Sequence, residues 1–252
     1  MAQAWNTRPR LAASARELRD LRDCPLPRGS LRRQNAHPRD ARIVHHDGRF
    51  VIDGHAHDDA RAPVRYSTIE AHVNQFFVTD FNEHQWATHL SQAGTGAYAG
   101  LTPTQIKRKW RRDKVDRRSR DRLRAKLHGA LLAYFDARDL TLRALPPEFL
   151  YFAQFAQYAR RQGWKPYRAG WAVFNDEHGL VGRLDAAYAD AQGDLVLVTW
   201  KRQRQIRTRC AGTRAAAPLD DRDDCELVRY GLQMHLYKHA LENYYGCRVV
   251  RI

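Results

Sequence analysis

Two charged side chains stand where a folded chain seldom tolerates charge. Asp185 lies late in the run Leu180–Tyr188, and Lys201 closes the run Leu195–Lys201, which is almost unbroken in its apolar character. Unpaired charge inside a sheet is costly, so an acid and a cation at the ends of neighbouring strands mark a site at a sheet rim.

The elements that would position them are readable from punctuation. Trp171–Phe174, Leu180–Tyr188 and Leu195–Lys201 are rich in branched and aromatic residues and are separated by Asn175–Gly179 and Gln192–Asp194. That is the pattern of an antiparallel meander, with the third strand central and buried on both faces. A helix over about Glu226 to Tyr244 follows, with Leu232, Leu236 and Ala240 on one side and Gln233 and Tyr237 sharing a face at i, i+4. Gly246 ends it, and Arg248–Ile252 begins a strand.

Upstream, Arg49–Asp53 reads as a short strand after a turn at Asp47–Gly48, and Ile69, Val73, Phe76 and Phe77 are spaced for one buried helix face. Thr102 is placed as an N-cap with Pro103 at the first helical position. Phe149 to Arg161 forms another helix, whose stripe of Phe149, Phe152, Phe155, Ala156 and Ala159 is core packing rather than a base-stacking platform; Gly163 stops it. His45, His46, His55, His57, Asp58 and Asp59 are metal-friendly types, but such histidines in a polar loop are more often solvated than ligating.

The chain has 43 Lys and Arg against 28 acids, for a net charge of +15. That excess favours a polyanionic partner, nucleic acid before an anionic membrane. Lys107 to Lys126 is its focus, with twelve cations and three aspartates. Lys107, Arg111, Lys114 and Arg118 would lie along one helical stripe, at a spacing that tracks phosphates. No apolar run approaches membrane-spanning length. Cys24, Cys210, Cys225 and Cys247 form no Cys-x-x-Cys pair, which argues for a reducing, intracellular compartment. Residues 1–42, rich in Arg, Ala and Pro, are expected to be a basic, disordered arm, followed by one domain over 43–252. Its helical part is 67–162, and its sheet core and Gln-x-x-x-Tyr helix fill 163–252.

With Gly182-x-x-Asp185, Lys201 and Gln233-x-x-x-Tyr237 in this order, the sequence resembles the PD-(D/E)XK nuclease superfamily. It is most similar to the RecB-like side, in a branch associated with large DNA viruses and protists. Tyr98–Thr102, Ile106, Trp110, Leu127, His128, Pro166–Arg168, Trp171, Trp200–Arg202 and Gln233 to Tyr244 also fall in that family's order, from about Arg49 to the C-terminus. The resemblance implies an α/β (α+β) restriction-endonuclease-like core, a mixed central sheet flanked by helices, with a helical region before it. It implies Asp185 as metal-binding aspartate, Lys201 as catalytic lysine, and Gln233 and Tyr237 as the helix supporting the site and contacting substrate. Magnesium, or manganese, would be the cofactor, activating a water beside the scissile phosphate.

Three acids of that pattern are replaced. Thr199 stands two residues before the lysine, Gly170 stands before Trp171, and Leu132 stands four residues after His128. A threonine hydroxyl is a poor magnesium ligand. The expectation is therefore a DNA-binding protein of nuclease fold, intracellular and nuclear or virion-associated, with hydrolysis impaired or lost. Lys107, Arg111, Lys114, Arg118 and Arg202 would be its phosphate contacts. An active enzyme with a relocated carboxylate and a basic packaging or scaffold protein are the alternatives. Asp176 and Glu177, at a hairpin tip, lie too far along the strand from Asp185 to stand in.

Overall fold

A computed structural model of the chain describes residues 29–46, 49–52, 66–77, 83–136, 149–201, 206–209 and 213–252. Side chains at 85, 113–121 and 124 fall outside the description. The elements, in order, are α1 Leu31–Gln34, a 3-10 turn Pro38–Arg42, β1 Ile43–His46, β2 Arg49–Ile52, β3 Ser67–Thr68 and α2 Ile69–Asn74. Next come α3 Glu83–Ala93, a 3-10 turn Gly96–Tyr98, α4 Pro103–Phe135, α5 Phe149–Arg161, β4 Lys165–Asn175 and β5 Leu180–Ala189. β6 Leu195–Val198, α6 Glu226–Tyr244 and β7 Val249–Arg251 complete the chain.

The architecture is mixed α+β, with a curled mixed sheet between helices. β5 is its centre and pairs antiparallel with β4 along nearly its whole length. Its other edge is shared. β3 runs parallel to its start, with Thr68 opposite Val181, and β6 runs antiparallel to its end, with Ala186 opposite Val198. β7 lies parallel to β6. Between Val181 and Ala186, among the described residues, no strand covers that edge of β5. The sheet is notched there.

Each face of the sheet is closed by helices whose apolar stripes match it. On one face, Leu131, Tyr134 and Phe135 of α4 and Phe149, Phe152 and Ala156 of α5 bury Ala186, Tyr188 and Val196. On the other, Ile69 of α2 and Met234, Tyr237 and Leu241 of α6 bury Trp171, Leu184, Leu195 and Leu197. The faces change at the notch: Leu184 belongs to the second core and Ala186, two residues on, to the first.

The predicted meander is present, and β6 lies between β5 and β7 with Leu195, Val196 and Leu197 buried. The third strand is shorter than expected. It ends at Val198, because Thr199 and Trp200 donate to the Asp185 carboxylate instead of continuing the ladder. The helix of Thr102 is also present, with Thr102 and Gln105 exchanging side-chain-to-backbone hydrogen bonds at its start.

The boundary of the N-terminal arm needs correction. Residues 30–42 pack as a strap on β4, while 1–28 lie outside the described residues. Leu31 is buried in the first core, and Asn35 donates to the Tyr167 carbonyl at 2.8 Å. Asp40 receives Arg168 at 2.6 Å and the Trp171 indole at 3.1 Å. Arg168 is 3% exposed, so it must have a partner, and the strap supplies it. Such a tertiary ion pair leaves no trace in local composition.

Candidate active site at the sheet notch

Asp185 sits on β5 inside the notch. Its Oδ2 accepts from the Thr199 hydroxyl at 2.8 Å and from the Trp200 amide at 2.9 Å. Trp200 is pinned by its ring, which packs edge-on against Phe155 at 4.8 Å and Phe152 at 5.7 Å. The turn that ends β6 is thus anchored in one core while its backbone caps the aspartate. Asp185 Oδ1 has no partner among the described residues.

Lys201 follows directly, and its ammonium turns to α6, where it donates to Gln233 Oε1 at 3.0 Å and lies 4.5 Å from the Tyr230 ring centre. Tyr237, one turn after Gln233 on α6, shares the second core with Trp171 and Leu184. Burial pushes the Tyr237 phenol above its ordinary range, and the charges of Asp185 and Glu70 push it further. Tyr237 fits because position 182 is glycine: a Cβ there would stand 2.5 Å from its hydroxyl oxygen.

Gly170 and Leu132 meet here too. Ala169 pairs with Ala186 and Trp171 with Leu184, which leaves Gly170 opposite Asp185. Gly170 has φ +57°, and a Cβ on it would lie 2.8 Å from Leu132 Cδ2 and 4.0 Å from both His128 Cε1 and Arg183 Cδ. Leu132 on α4 thus occupies the space that a side chain at 170 would need. Arg183 also lies 5.9 Å from the Phe50 ring centre, and its charge acts on His45, whose pKa is lowered first by burial and then by that guanidinium.

Asp185, Lys201, Gln233 and Tyr237 therefore converge, and Thr199, Gly170 and Leu132 surround them. Asp176 and Glu177 are committed elsewhere. Asp176 is held by Arg39 at 2.9 Å, Arg42 at 3.3 Å and Tyr66 at 2.5 Å, and Glu177 accepts from Tyr244. Two contributors escaped the sequence reading. Glu70, in the first turn of α2, is unremarkable as a helix-start acid, and Arg183 sits unmarked inside Gly182-x-x-Asp185.

On the helical side, α4 is continuous through the basic segment. Lys107 faces α3, with its Nζ 3.4 Å from His84 Nδ1, and Arg111 is exposed. The side chains of Lys114 and Arg118, and Arg202 entirely, lie outside the described residues, as do His55, His57, Asp58 and Asp59.

Compared with family models, curated proteins and solved structures, the chain matches none. Among the described residues, no helix is long and apolar enough to cross a membrane.

A hard cation such as magnesium prefers near-octahedral oxygen coordination and keeps several of its waters. Among the described residues, Asp185 Oδ1 is the carboxylate oxygen at the notch without a hydrogen-bond partner, and Thr199, Gly170 and Leu132 stand beside it. This donor set does not make a magnesium cage. Arg183 and Lys201 suit an anion better than a cation.

Proposed function

We propose that this chain is a nucleic-acid-binding protein, with DNA as its partner, built on a PD-(D/E)XK-like core that has lost most or all metal-dependent phosphodiester hydrolysis. The observation that carries this reading is the double capping of Asp185 Oδ2 by Thr199 and Trp200, opposite a glycine packed on Leu132. The convergence of Asp185, Lys201, Gln233 and Tyr237 supports the resemblance, since distant positions of its pattern meet at one notch. Arg and Lys contacts to phosphates are insensitive to sequence and weaken steeply with salt. Cys225 and Cys247 are free thiols, which fits a reducing intracellular compartment, nuclear or within a virion.

The test is incubation of pure protein with single- and double-stranded DNA, with Mg²⁺ or Mn²⁺ and then with EDTA. Binding that persists in EDTA without cleavage is the expected result. EDTA-sensitive cleavage abolished by Lys201→Ala overturns it. That outcome would favour a second reading, an active enzyme with a relocated carboxylate.

A further inference from the structure

Away from the notch, a cavity of about 340 Å³ opens against the first turns of α4, lined by Leu101, Gln105, Arg108, Lys109 and Arg112. The four helical residues are spaced i, i+3, i+4 and i+7, so they form one face. Lys109 is fixed: its ammonium donates to the Ala97 carbonyl at 2.9 Å and lies 5.3 Å from the Tyr98 ring centre. Trp110 holds that ring in turn through a 3.3 Å hydrogen bond to its hydroxyl. Arg108 and Arg112 are exposed, one turn apart, with no ion pair or hydrogen bond among the described residues.

Like charges one turn apart on a helix repel, and among the described residues no carboxylate lines the cavity. The amides of the helix start are not the binding group, because the reciprocal capping of Thr102 and Gln105 already occupies them. Planar guanidinium groups match phosphate oxygens in pairs. We infer that this cavity binds a phosphate group, either a backbone phosphodiester of nucleic acid or the phosphates of a free nucleotide. It deepens the nucleic-acid reading by placing a backbone contact on the Arg108–Arg112 face instead of the Lys107–Arg111 stripe. The Asp185 notch takes no part in it.

The experiment uses the full chain in EDTA. Anisotropy of labelled single- and double-stranded oligonucleotides is measured across a salt series for wild type, Arg108→Ala/Arg112→Ala and, separately, Lys201→Ala, with circular dichroism confirming the fold. Calorimetry with pyrophosphate and with ATP tests the free-phosphate source. For a backbone site, the double variant is expected to lose tenfold or more in oligonucleotide affinity. The slope of log affinity against log salt should fall by about two. For a nucleotide site, pyrophosphate and ATP bind wild type and not the variant. A folded double variant that keeps oligonucleotide affinity, salt slope and pyrophosphate binding overturns the assignment. Loss in the double variant with Lys201→Ala unchanged leaves this site standing while removing support from the notch.

Discussion

The Thr199 hydroxyl donates to Asp185 Oδ2 at 2.8 Å, at the position where the resemblance implies a second acid. A hydroxyl can neutralise one lone pair of that carboxylate, whereas a carboxylate in its place would repel it. Two carboxylates at this separation do not both ionise unless a cation lies between them. Thr199→Asp is therefore expected to melt below wild type in EDTA and to recover with millimolar Mn²⁺, which wild type should feel less. Thermal melts with and without the metal check this. Equal metal responses in the two proteins would mean that positions 185 and 199 are not side by side.

Restoring the acid at position 170 is a different matter. Gly170 has φ +57°, where a side chain costs about 1–2 kcal/mol, and its Cβ would meet Leu132 Cδ2 at 2.8 Å. Overpacking of that kind adds about 1–3 kcal/mol. The sequence alone suggests that Thr199→Asp combined with Gly170→Glu would raise metal affinity. With these contacts the pair is expected to lose stability first. Gly170→Ala should already lower the urea midpoint, and Leu132→Ala should relieve only the collision. A Gly170→Ala protein as stable as wild type would contradict the backbone described here.

Local signals were readable in the sequence because they act over a few residues. Thr102 with Pro103 fixed the start of α4, and Gly163 followed α5 as expected. The span from Glu226 to Tyr244 emerged with the bounds expected for α6. What stayed hidden depends on partners far away in the chain. Thr199 to Lys201 carry strand-like residues, yet leave the sheet because Asp185 outcompetes the ladder for their donors. The strap over 30–42 has the composition of an arm and is ordered by Arg168 and Asp176. Around the notch, the order of residues singles out Asp185, Lys201, Gln233 and Tyr237 but not Arg183, whose nearness to Gly170 depends on strand pairing.

Gly182 and Tyr237 form a further coupled pair. A Cβ at 182 would lie 2.5 Å from the Tyr237 oxygen, 2.9 Å from Cε1 and 3.0 Å from Cζ. Gly182→Ala is expected to cost about 1–3 kcal/mol through overpacking. Tyr237→Phe removes only the hydroxyl nearest that Cβ and should cost about 1 kcal/mol. In the double variant the nearest clash vanishes while the ring contacts remain, so the combined loss should fall below the sum. Urea unfolding of all four proteins measures this coupling. Simple additivity would place the tyrosine elsewhere.

Acid should release the strap before the meander. Burial opposes ionisation of Asp176, but the Tyr66 hydroxyl and the Arg39 and Arg42 guanidinium groups outweigh it and hold its pKa below the ordinary 3.8. A carboxyl with a depressed folded pKa contributes stability that is complete above its unfolded value and is lost as pH falls through the folded one. The contribution is thus intact near neutrality and disappears in the acid range below 3.8. Because Asp176 holds Arg39 and Arg42, its protonation loosens the strap at its 3-10 turn. Amide protection over 37–43, corrected for intrinsic exchange, should fall with acid before that of β5. Asp176→Asn should show the loosened strap already at neutral pH and flatten the pH dependence. If protection in the strap and in β5 fell together in both proteins, Asp176 would not be the clasp.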